Sequence, residues 1–241
     1  MEPVVVPSGT LPHPRGFWST DRSLSLLVLS LVVLIFIVQP LHQIGVFGRL
    51  LITLFFSFLL IAGVGAVAKS PRTTVVVGGV VLTSFALRWL RLWFGGESLV
   101  ISDALFSALF CLILAVVVLA QVLREGPITF YRIEGAVAFY LLLGMAWAFA
   151  YELVALRWPN AFAPPPSPTT NVKDDPTARF VYFSFVTLTS VGYGDITAVH
   201  PFARSLATLE ALIGQLFPTL LLARLVAMEL YYRQARDREP R

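Results

Sequence analysis

The residues most suited to chemistry form one run near the C-terminal end: Thr187-Leu188-Thr189-Ser190-Val191-Gly192-Tyr193-Gly194-Asp195. Gly192 and Gly194 alternate with Val191 and Tyr193. Glycine adopts positive φ at little cost, whereas L-residues resist it. A segment built this way can turn successive backbone carbonyls to one side, with the Val191 and Tyr193 side chains pointing away to brace a wall. Rings of carbonyl oxygen at close, regular intervals are what can replace the hydration shell of a cation such as K⁺. Irregular backbone of this kind is tolerated at membrane depth only where it lines a water-filled path or is buried in protein.

The rest of the chain supplies such a depth. Of 241 residues, 57% are apolar and 13% charged, and the mean hydropathy is +0.78. A soluble domain carries about 25% charged residues, so these values exclude a soluble globule and a disordered chain alike. Six apolar segments approach the roughly 20 residues that a bilayer crossing needs: residues 24–39, ended by Pro40; 50–68; 74–94, broken by Gly95-Gly96; 103–122; 133–153; and 203–232. Between the fifth and sixth, a Pro-rich loop at 163–168 leads to Asp174-Asp175-Pro176-Thr177, with Thr177 the expected N-cap of a short helix over 178–189. That helix is too short to cross, and the glycine run follows it. The segment is therefore a re-entrant element. The fold expected is an all-α membrane protein, with six transmembrane helices and a re-entrant helix between the last two.

Basic residues orient the chain. Ten lie in one set of flanks (15, 22, 69, 72, 124, 132, 233, 236, 238 and 241) and five in the other (49, 157, 173, 179 and 204). By the positive-inside rule both termini are cytoplasmic and the Pro-rich loop is external. The chain then divides into a cytoplasmic tail (1–22), a four-helix membrane domain (23–123), a pore-like domain (124–232) and a short cytoplasmic tail (233–241), with no soluble regulatory domain. No small-residue cleavage site follows the first apolar segment, so a cleaved signal peptide is not expected. The formal charge of +4 is small and its basic residues form no stripe, which leaves nucleic acid an unsuitable partner. No nucleophile–base pair or metal-ligand spacing suggests an enzyme. His13, His42 and His200 are isolated, and Cys111 reads as a packing residue in an apolar segment.

The run 187–195 resembles the signature of the potassium-channel pore family, T-x-T-T-V-G-Y-G-D, with Ser190 where Thr is usual. The resemblance covers roughly residues 133–232. It implies that carbonyls of Ser190, Val191, Gly192, Tyr193 and Gly194, with the Ser190 hydroxyl, line a K⁺ filter. It also implies that K⁺ is the permeant ion, and that the protein is a homotetramer in the lipid bilayer of the cell membrane. One pore loop per chain demands four chains, because a filter needs oxygen from all sides. Thr189, Asp195, Tyr182 and Glu210 are the expected filter supports. Tyr182 aligns with a pore-helix Trp that reaches the filter Asp in relatives. Glu210, an ionisable residue inside a span, is expected either to hydrogen-bond the pore helix at Ser184 or Thr187, to line a cavity, or to be a protonated acid held by a neighbouring helix. Arg204 stands ten residues before Gly214, as in simple two-helix channels, which makes Gly214 and Pro218 the candidate gate hinge; Gly214 as a point of close helix approach is the other reading.

Residues 103–122 carry no Arg repeat, so steep voltage sensing is not expected. Arg88 and Arg91, flanked by Trp89 and Trp93, read as an interfacial belt, and Arg224 as a snorkelling side chain. Two further readings stay open: a K⁺ transporter subunit with a degenerate filter, and a non-conducting membrane scaffold that retains the pore fold. Transporters of that kind carry four pore repeats in one chain, against the single copy here.

Overall fold

The computed structural model describes residues 17–43, 48–67, 71–123, 130–163 and 175–238. Most of the N-terminal tail, the Pro-rich loop from residue 164 onward and the last three residues lie outside the described residues. Pro40 was expected to close the first span. A proline lacks the N–H of the helical ladder and crowds the carbonyl four residues back, and the chain accommodates this by widening rather than stopping. Helix α1 (Phe17–Val33) opens into one π-helical turn (Leu34–Val38), where the Gln39 amide reaches back to the Leu34 carbonyl, and continues as α2 (Gln39–Gln43).

Helix α3 (Arg49–Val67) and helix α4 (Pro71–Phe94) follow. Gly95 and Gly96, at φ +62° and +106°, reverse the chain within two residues. Helix α5 (Glu97–Val122) therefore begins six residues earlier than expected, and Asp103 falls inside it instead of at its edge. Helix α6 (Phe130–Arg157), the short helix α7 (Pro176–Leu188) and the long helix α8 (Pro201–Arg238) complete the bundle. A two-residue antiparallel ribbon, β1 (Phe162–Ala163) with β2 (Thr197–Ala198), ties the segment after α6 to the segment before α8.

Five stretches among the described residues are long and apolar enough to cross a membrane: Leu24–Leu41, Val77–Phe94, Glu97–Val122, Arg132–Arg157 and Pro201–Arg224. The 19-residue α3 stands where the second of the expected spans falls. Helix α5 lies along α6, α1 packs on α3 and α6, and α7 is held between α6 and α8. Leu27, Leu31, Phe56, Phe110, Leu114, Leu142 and Phe149 fill the shared core. Leu26, Leu29, Phe58, Leu105, Leu112 and Val116 face outward, as helices solvated by hydrocarbon do.

Arg88 and Arg91, read from sequence as an interfacial belt, have a partner within the bundle. They pair with the Asp103 carboxylate, buried at 1% exposure. Arg88 Nε lies 3.2 Å from Oδ1, and Arg91 Nη1 lies 2.8 Å from Oδ2. Arg88 Nη2 also donates to Ser107 at 3.2 Å, and its guanidinium stacks 3.8 Å above the Phe56 ring. The tight Gly95-Gly96 turn brings these groups together by folding α5 back along α4. Arg224, expected to snorkel, has a defined partner. It donates to the Leu123 carbonyl at 2.6 Å, at the C-terminal end of α5, where a helix end presents unpaired carbonyls to a cation.

Candidate functional site: the re-entrant helix and its glycine run

The re-entrant element begins with a cap two residues earlier than expected. Asp175 is the N-cap of α7, its carboxylate accepting from the Thr177 amide at 3.2 Å with Pro176 at the first helical position. That frees the Thr177 hydroxyl, which donates to Glu152 of α6 at 2.9 Å. Arg91 Nη2 stands 3.8 Å from the other Glu152 oxygen. A continuous polar chain thus runs from Asp103 through Arg91 and Glu152 to the start of α7. Farther along, Phe180 and Phe183 pack edge-on with Phe162, and Phe183 with Tyr151 at 5.0 Å. On the other side Phe185 fills the space left by Gly144, where a Cβ would lie 2.7 Å from its ring.

At the C-terminal end of α7 the backbone leaves the helix with φ of +57° at Ser190, +57° at Gly192 and +79° at Gly194. Val191 and Tyr193 between them do not share that sign. Alternation of this kind aligns successive N–H groups on one side and carbonyls on the other. The amides are turned inward: Ser190 N–H donates to Thr187 O at 2.9 Å, Val191 N–H to Val186 O at 3.0 Å and Gly192 N–H to Val186 O at 3.3 Å. Ser190 in the left-handed region costs roughly 1–2 kcal/mol, and these bonds hold it there. The glycines were expected at positive φ; the serine was not. A Cβ on Gly192 or Gly194 would meet nothing within 4 Å, so conformation and not space requires glycine here.

Residues 189–194 are all exposed, Tyr193 at 72%. Thr189 Oγ1 donates back to Phe185 O at 2.6 Å. The Asp195 carboxylate accepts from the Ile196 amide at 3.0 Å and interacts with the Tyr182 hydroxyl. Burial first, then that carboxylate, push the Tyr182 phenol up to about 12, so the phenol keeps its proton and is the donor. His200 stacks on Trp158 at 4.8 Å, and its Nδ1 accepts from the Phe202 amide at 3.2 Å.

Behind the run, Glu210 of α8 is fully buried and meets Ser184 of α7 and Tyr151 of α6, each at 2.5 Å. Its partner is Ser184 and not Thr187, and it does not open onto a cavity. Gly214, one turn on, presses directly on the end of α7: a Cβ there would lie 1.9 Å from Leu188 O and 2.8 Å from Leu188 C. The same Leu188 carbonyl accepts from the Tyr140 hydroxyl at 3.1 Å. Pro218 lies within a continuous α8 and is exposed. Tyr151, Tyr140 and Glu152 were not singled out from sequence, and Thr177 was expected as a cap and not as a partner of Glu152. For Glu152 and Asp103 a signal existed, since each is ionisable within a span, the property that marked Glu210.

Residues 128–229, under half of the chain, match the family model described as Ion channel, which supports an ion-channel domain of the potassium-channel pore type in this part of the chain. Among curated proteins, Protein LctB of Bacillus caldotenax is 31% identical over 90 residues, which cover 37% of this chain and 66% of that protein. Protein LctB of Geobacillus stearothermophilus is 32% identical over the same shares. The chain thus spans just under two thirds of the length of the relatives it matches. No solved structure matches.

Proposed function

We propose that four copies of this chain form a K⁺-selective channel in the cell membrane, with six spans per subunit, both termini cytoplasmic and opening that depends only weakly on voltage. The observation that carries this reading is the alternating φ at Ser190, Gly192 and Gly194, with the intervening amides bound to the end of α7. Residues 190–194 are exposed and, among the described residues, no hydrogen bond occupies their carbonyls, which leaves those oxygens free to serve as the ligands a dehydrated cation needs. The exposed Val191 and Tyr193, and the exposed Leu209, Leu212, Leu216 and Leu220 along α8, are surfaces for neighbouring subunits. Of the two hinge residues, Gly214 is braced against Leu188, so bending of α8 belongs at Pro218.

Purified protein in liposomes is expected to pass K⁺ and Rb⁺, exclude Na⁺ and be blocked by Ba²⁺. Comparable Na⁺ and K⁺ permeability would sink the filter reading, and absence of any flux would favour a scaffold. The outer end of the filter offers a finer test. Because Tyr182 is 40% exposed, its bond to Asp195 is screened by solvent and contributes about 0.5–1.5 kcal/mol. Tyr182→Phe is expected to hasten the decline of current during sustained opening. Asp195→Asn should then add less than its full effect to that variant. Full additivity in the double-mutant cycle would show the two groups uncoupled.

A further inference from the structure

Three helices converge on Glu210, and the count of protons among them decides its state. The Tyr151 hydroxyl of α6 lies 2.5 Å from Oε2. The Ser184 hydroxyl of α7 lies 2.5 Å from Oε1 and 2.7 Å from the Gly144 carbonyl oxygen. Both distances are those of O–H···O hydrogen bonds. Ser184, however, has one hydroxyl proton, and a carbonyl oxygen can only accept. An ionised carboxyl also only accepts. Ser184 would then satisfy one neighbour and stand against the other at 2.5 or 2.7 Å with no hydrogen between two lone pairs, which is repulsive. A proton on Oε1 removes the conflict: Tyr151 donates to Oε2, Glu210 donates to Ser184, and Ser184 donates to Gly144.

The surroundings agree. No ion pair among the described residues includes Glu210. On its own helix, Arg204 donates to the Ala198 carbonyl and Arg224 to the Leu123 carbonyl. The titratable groups that face it are Tyr151 and Tyr140 of α6, while α7 presents Ser184. An isolated carboxylate buried at this depth would be far costlier than a neutral acid.

We infer that Glu210 is a neutral carboxylic acid acting as a hydrogen-bond donor, the central link of a directional relay from Tyr151 through Glu210 and Ser184 to Gly144. The relay fixes the re-entrant helix to both of its flanking helices, and it makes the rear support of the filter depend on one proton. This deepens the channel reading and makes Glu210 a positioning residue. Loss of that proton reverses the middle link, and Ser184 must then leave the Gly144 carbonyl.

Infrared absorption of the purified full-length protein tests this without requiring conduction. At neutral pH the wild type minus Glu210→Gln difference is expected to show a protonated-carboxyl C=O band. Ser184→Ala removes the acceptor of that proton and should move the band to higher frequency. Carboxylate stretches in place of the band, or a band indifferent to Ser184→Ala, would overturn the inference; the serine variant decides it even if Glu210→Gln fails to fold. In Rb⁺ flux, Gln reproduces one donor and one acceptor, so Glu210→Gln should stay within about twofold of wild type. Glu210→Ala leaves Tyr151 and Ser184 without their partner and should lose at least about tenfold. Wild-type flux should fall in alkaline solution while Glu210→Gln stays flat; parallel profiles would count against the relay. A protonated band in a protein that passes no ion would uphold the relay and defeat the channel reading.

Discussion

Gly214→Ala is expected to abolish ion flux and to lower thermal stability, although it adds a single methyl group. The new Cβ would lie 1.9 Å from Leu188 O, 2.8 Å from Leu188 C and 3.1 Å from Leu188 Cα. These are backbone atoms at the end of α7, so no rotamer change relieves the overlap. Ordinary contact between carbon atoms begins near 3.5 Å, and α8 must therefore retreat by about 1 Å or more. Overpacking of this kind costs about 1–3 kcal/mol when side chains can adjust, and here they cannot. The retreat also pulls at Leu188 itself, which accepts from Tyr140 and lies two residues before Ser190. Flux should drop by more than about tenfold, and the melting temperature of the purified protein should fall. Gly78→Ala and Gly79→Ala on α4 are the control, since a Cβ at either meets nothing within 4 Å; both should be neutral or mildly stabilising. Full flux and unchanged melting in Gly214→Ala would mean that α8 and α7 do not touch at this point.

The second large effect is expected from Asp103→Asn. The substitution leaves Arg88 and Arg91 facing an uncharged partner inside the bundle. Breaking a buried ion pair from one side costs about 3–5 kcal/mol, whereas replacing the whole pair with apolar groups is often neutral. Asp103→Asn should thus lower the melting temperature sharply, while Asp103→Leu combined with Arg88→Leu, which leaves Arg91 to Glu152, should recover most of it. The pairing also bears on voltage. One elementary charge crossing the membrane contributes about 2.3 kcal/mol per 100 mV, but Arg88 and Arg91 are held by Asp103 and cannot travel without giving up that bond. Open probability is expected to change only weakly between strongly negative and strongly positive potentials. A steep voltage curve that disappears in Arg88→Gln/Arg91→Gln would show that this pair moves.

The difference between what the chain announces and what it conceals follows from the range of the forces involved. The glycine run was legible because its constraint is local: a backbone with alternating φ needs Gly192 and Gly194 whatever surrounds them. Helix α7 was legible for a similar reason, since Asp175-Pro176-Thr177 is a helix entry on its own, although which of Asp175 and Thr177 caps it depended on Glu152 taking the threonine hydroxyl. Asp103 was set at the edge of its helix because a charge within a span is costly. Its compensation comes from Arg88 and Arg91 across the Gly95-Gly96 turn, and no periodicity reports a partner 12 or 15 residues away. Pro40 likewise reads as a stop until the π-helical turn before it is seen to absorb the missing bond. The tight approach of Gly214 to Leu188 is a property of two helices, 26 residues apart in sequence, and neither helix alone encodes it.

The packing of α5 along α6 of the same chain governs how subunits would come together. In the tetramer proposed above, the helices before α6 would rest on the outer helix of their own chain, as α5 does here. The ring is then not interlocked by exchanged domains. Each subunit completes its own polar and apolar contacts, from Asp103 through Glu152 to Thr177, before it meets another. Assembly of the proposed tetramer would then be a docking of finished wedges through α8 and the filter edge, with no domain to be exchanged first.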